Sequence, residues 1–157
     1  MCDYSLHGLP NRLAKEGEEL LAHRFSTGAM GLASPADLRH QMQSRPEKTS
    51  WWAALKAAFV SPQGAEVPAV CIPPGATLRL MDIPMNLQRE FGVGPDETVG
   101  FTQTTAIPET FHDAVRFTNG RVALLQFLKE GQRVRILSLG SQEAEFVPER
   151  VGTEAAV

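Results

Sequence analysis

The chain is poor in the residues that most often betray chemistry: 157 residues hold two cysteines, four histidines and one tyrosine. It has no paired CxxC, HExxH, P-loop, Rossmann glycine signature or GxSxG elbow, which removes the familiar zinc, nucleotide and serine-hydrolase patterns. No apolar run approaches the eighteen or so residues of a membrane span, and the N-terminus lacks the charged start and apolar core of a signal peptide. Nor is there an excess of one charge. A net charge of -3 and a pI near 5.8 give no global attraction to nucleic acid or anionic lipid. These absences lead us to expect a cytoplasmic protein without a nucleic-acid partner. In that compartment Cys2 and Cys71 are expected as free thiols or ligands rather than as a structural bridge.

What is present is β-rich. At 43% hydrophobic, the chain is long enough for one domain with a real core. Residues 1–140 are expected to form that domain, as a small antiparallel barrel or sandwich, with 35–66 as a helical insertion and 141–157 as a flexible acidic tail. Asn119-Gly120 lies between two runs of β-formers and suits a two-residue type I′ hairpin turn. Phe117 would then face Val122, Val115 face Leu124, Ala114 face Leu125 and His112 face Phe127. Residues 129–132 would close a second hairpin onto Arg133 to Leu139, completing a C-terminal meander with Val134 and Ile136 beside Phe127 and Leu125. Because His112 and Asp113 are neighbours on an expected strand, they would point to opposite faces.

Other strands are expected over Glu19 to Phe25 after a turn at Gly17, over Val67 to Met81 as two strands joined by Pro73-Pro74-Gly75, and over Thr98 to Thr105. The stretch STGAMGLASPADL, with its Gly, Ser and Pro, reads as loop. PMNLQREFG reads as a short helix, with Pro84 in its first turn and Gly92 at its end. Ser50 can cap an amphipathic helix in which Trp51, Leu55 and Phe59 recur every four residues, with Trp52 beside them. Its plain role is to pack across this protein's own sheet. Its functional role would be to grip a partner protein through Trp51, Trp52 and Phe59.

The chemically suggestive cluster is MCDYSLHG. Removal of Met1 leaves Cys2 with a free α-amine beside its thiol, so the amine can act as a local base or join the thiolate in chelating a metal. The plain alternative is that position 2 merely tolerates Cys. In the first reading, Cys2, Cys71, His112 and His7 bind a copper or zinc ion. Without metal, Cys2 is a nucleophile, His112 a general acid or base and Asp3 an orienting group. In the second, the protein is a non-catalytic interaction module using residues 50–60. A third makes the barrel interior, lined by Leu125, Phe127, Val134 and Ile136, a small-molecule carrier. No nucleotide cofactor is expected.

MCDYSLHG, AVCIPPGATLRL and FHDAVRFTNGRVALLQ together resemble a group of small hypothetical bacterial proteins that begin Met-Cys-Asp-Tyr-Ser-Leu. The resemblance covers residues 1 to 32 and 67 to 139. It implies a bacterial source and a β core that stands without the Trp-containing stretch, and it assigns no catalytic role.

Overall fold

A computed structural model describes residues 6, 8–43, 66–105 and 110–140. The architecture is mainly β, as the sequence suggests. Nine strands are formed by the described residues: β1 Asn11–Leu13, β2 Glu19–Arg24, β3 Met30–Ala33, β4 Ala69–Cys71, β5 Thr77–Met81, β6 Glu97–Gln103, β7 Asp113–Phe117, β8 Val122–Leu124 and β9 Arg133–Ser138. Seven build one curled antiparallel sheet, a half-barrel, in the order β3-β2-β9-β5-β6-β7-β8, while β1 and β4 pair in parallel beside it. Among the described residues two α-helices accompany them, α1 Pro35–Gln43 and α2 Met85–Phe91. Among the described residues no helix is long and apolar enough to cross a membrane.

The strand period of two decides what fills the curl. Leu20 and Ala22, Leu78 and Leu80, Val99 and Phe101, Val115 and Phe117, and Val134 and Ile136 alternate inward from five strands into one buried cluster. A second cluster joins Leu6, Leu9, Phe25, Ala29, Ala33, Val67, Ala69 and Cys71. Strand β3 lies between the two, which is why all four of its residues are buried. Its small residues are a packing requirement: a Cβ on Gly31 would come within 2.8 Å of Leu6 and 2.9 Å of Phe25. The expected loop over Ser26 to Leu38 is therefore corrected to a hairpin arm and the start of α1.

The β7–β8 hairpin forms, with a different turn. Gly120 N–H donates to Phe117 O (3.0 Å), Phe117 N–H to Arg121 O (2.8 Å), and only Gly120 of the loop has positive φ, at 85°. This is a three-residue loop with glycine in the left-handed position. The register becomes Ala114↔Leu124, Val115↔Ala123 and Arg116↔Val122, one residue off the expected pairing. Ala123 is buried as a result and Val122 faces out. Residues after Phe25 repeat the device, with Phe25 N–H on Ala29 O, Gly28 N–H on Phe25 O and Gly28 at φ 84°.

The slip has a cause outside the hairpin. Asn119 Nδ2 donates to Phe91 O (2.9 Å) and Gly92 O (3.2 Å), and Arg121 donates to Glu90 O (2.6 Å). The hairpin tip thus supplies the partners that the last carbonyls of α2 lack within their own helix. Gly92, at φ 64°, ends that helix as expected.

The meander does not continue past β8. Leu125–Phe127 turns into a short 3-10 helix, and β9 inserts between β2 and β5. Val134 and Ile136 lie inside the curl with Leu125, but Phe127 is 54% exposed, so the four residues do not line an interior pocket. The Pro73-Pro74-Gly75 turn exists, with Ala76 N–H on Pro73 O and Gly75 at φ 91°. It joins the two strands expected around it, β4 and β5, which lie in different sheets because β4 pairs with β1 while β5 pairs with β6 and β9.

Candidate functional site

Strand parity brings one polar pair to the core face at the rim of the curl. Gln103 extends the inward series Val99 and Phe101, Asp113 precedes the inward series Val115 and Phe117, and the two are directly opposed in the ladder. Asp113 is 5% exposed, and Gln103 Nε2 donates to its Oδ1 at 3.1 Å. A carboxylate buried that far requires such donors, since desolvation penalises its charge.

His112 joins this pair. Its Nε2 lies 3.7 Å from Asp113 Oδ1, its Nδ1 lies 3.0 Å from Thr110 O, and its side chain is 14% exposed. The Thr110 carbonyl can only accept, so Nδ1 carries the hydrogen in that contact and Nε2 is the nitrogen turned toward the carboxylate. The expectation that His112 and Asp113 diverge is thereby corrected. Alternation governs residues within a strand, and β7 begins at Asp113. His112 sits one residue before it, where its carbonyl accepts from Thr104 N–H (2.9 Å) and its ring is free of the pleat. Its expected partner Phe127 lies on the surface instead.

Cys71 is disulfide-bonded, in place of the free thiol or ligand expected for it. The chain's other cysteine is Cys2. Cys71 lies in the second cluster at the end of β4, and its carbonyl accepts from Ala14 N–H (2.9 Å). From there the chain runs four residues to Gly75, whose N–H donates to Phe101 O (2.9 Å), while Phe101 N–H returns to Ala76 O (2.7 Å). Gln103 is two residues farther along β6. The β4–β5 connection is therefore anchored next to the strand end that carries the Gln103–Asp113 pair.

Cys2, Asp3, His7, Trp51, Trp52 and Phe59 lie outside the described residues. Among the described residues, no three His, Cys, Asp or Glu side chains are grouped to hold a metal ion. The sequence reading passed over Gln103 and the burial of Asp113. The signal was available in the parity of the strands, where each continues an apolar series with a polar residue.

The chain matches no protein-family model, no curated protein and no solved structure.

Proposed function

We propose that the protein performs thiol chemistry at this rim, with Cys2 as nucleophile, His112 Nε2 as its proton acceptor and Asp113 as the charge that stabilises the protonated ring. The observation that carries the reading is the contact between His112 Nε2 and the buried Asp113 carboxylate, itself held by Gln103. The Nδ1–H bond to Thr110 O fixes the ring and leaves Nε2 to take the thiol's proton, and the Asp113 carboxylate 3.7 Å from Nε2 stabilises the imidazolium so formed. The orienting role that the sequence assigns to Asp3 falls to the Thr110 carbonyl, and Asp113 supplies the charge. The disulfide at Cys71 adds a condition: with two cysteines in the chain, the nucleophile is available in the reduced protein.

Metal binding by Cys2, Cys71, His112 and His7 is the weaker form of the proposal. It requires prior reduction, and His112 has one ring nitrogen on Thr110 O and the other facing Asp113. A copper or zinc ion would have to take Nε2, the same nitrogen that accepts the thiol's proton in the first form.

Intact-mass spectrometry of the reduced protein after brief treatment with iodoacetamide tests the reading. The expected result is loss of Met1 and a single adduct, mapped to Cys2, whose formation slows in His112→Ala and Asp113→Asn. Equal labelling of Cys2 in all three proteins would remove His112 from the chemistry, and retention of Met1 would remove the α-amine.

A further inference from the structure

The turn over residues 129–132 leads the chain into β9 and closes against the end of β5. Between them lies a cleft of about 220 Å³ lined by Asp82, Lys129, Glu130, Gly131, Gln132 and Arg133. Among the described residues Asp82 alone holds a positive φ without being glycine, at 59°, a conformation that Asp tolerates at some conformational cost. The strain places a carboxylate at the cleft.

Gln132 is the second feature. It is 4% exposed, its backbone N–H donates to Lys129 O (2.9 Å) and its carbonyl accepts from Ala22 N–H (2.9 Å). Its Nε2 donates to Met81 O, whereas its Oε1 receives no donor from the described residues. A buried amide oxygen left in that state has lost its hydration without a replacement, so a donor from outside the chain is favoured there.

The charges define what that donor belongs to. Arg133 is engaged by Asp82 (3.2 Å) and Glu19 (3.6 Å), and Glu130 faces His23 (3.4 Å). Lys129 is exposed and has no carboxylate partner among the described residues. One cation and one buried acceptor are therefore unmatched, and Asp82 and Glu130, each engaged through a carboxylate oxygen by Arg133 and by His23 with the Arg24 N–H, line the same cleft. We infer that the cleft binds a small zwitterion of α-amino-acid size, its ammonium directed to Gln132 Oε1, Asp82 and Glu130 and its carboxylate to Lys129. The volume agrees, being below the roughly 300 Å³ at which sites for drug-sized ligands begin.

The test is an amide-resolved NMR titration of the full chain with alanine, and with propionate and ethylamine as its two halves. Alanine should shift the Gly131 and Gln132 amides saturably, and each half should need at least ~10-fold more, equivalent to roughly 1.4 kcal/mol. Gln132→Leu should abolish saturation. Because that change also alters buried packing, Lys129→Ala at the surface is the second variant and should weaken alanine while leaving ethylamine unchanged. Alanine no better than its halves, or saturation unchanged in both variants, would overturn the site and leave Gln132 Oε1 to solvent.

Discussion

The side-chain amide of Gln126 accepts from the Met30 N–H and donates to the Met30 carbonyl, both at 3.0 Å. Met30 begins β3, one edge of the curled sheet, and Gln126 follows β8, the other edge. A single side chain thus does for Met30 what a neighbouring strand would do, and it joins the two edges of the half-barrel.

Gln126→Leu keeps the bulk and removes both bonds, leaving the N–H and C=O of a residue that is 1% exposed without partners. Each unsatisfied group costs about 1–3 kcal/mol, so urea unfolding should show a loss of at least ~2 kcal/mol. Faster hydrogen exchange at the Met30 amide should accompany it. A loss below ~0.5 kcal/mol would mean that the edges are held by apolar packing alone.

Asn119 separates the observed hairpin from the expected one. In a type I′ turn its backbone would need positive φ, and Asn119→Gly would be tolerated well. In the structure its side chain caps α2, and its Oδ1 accepts from Arg121 N–H at 3.0 Å. Asn119→Gly should therefore cost as much as Asn119→Ala, on the order of 1 kcal/mol, in thermal or denaturant unfolding.

Acid should loosen the join between β1 and β2. The Arg12 guanidinium makes two bonds to Glu18 and holds its carboxyl below the ordinary carboxylate value, helped by the Lys15 N–H; the same pairing raises Arg12. A lowered folded-state value means stability that is present above the unfolded value near ~4.3 and lost as pH falls through the folded one. Glu18→Gln should remove that part of the acid dependence and cost roughly 0.5–1 kcal/mol at neutral pH, since the pair is partly exposed. A variant whose stability falls with acid as steeply as the parent would place the dependence elsewhere.

The elements governed by local chemistry were legible in the sequence: the strand beginning at Glu19, the helix between Pro84 and Gly92, and the turns at Gly17 and Gly75. What was hidden depended on distant partners. The β7–β8 register shifted because the hairpin tip serves α2, and β3 passed for loop because its Gly and Ala are small for the sake of Leu6 and Phe25. Strand β9 looked like the next arm of a meander, since nothing near residue 133 announces that it will enter between β2 and β5. At the site, His112 was legible as a residue type. Its meeting with Asp113 depended on where β7 begins, a boundary that composition leaves open.

The pH dependence of Cys2 alkylation in the reduced protein tests most directly whether His112 and Asp113 serve a thiol. The account predicts a rate step below the ordinary thiol value of about 8.5, absent from His112→Ala and diminished in Asp113→Asn. A single step near that ordinary value, identical in all three proteins, would contradict it.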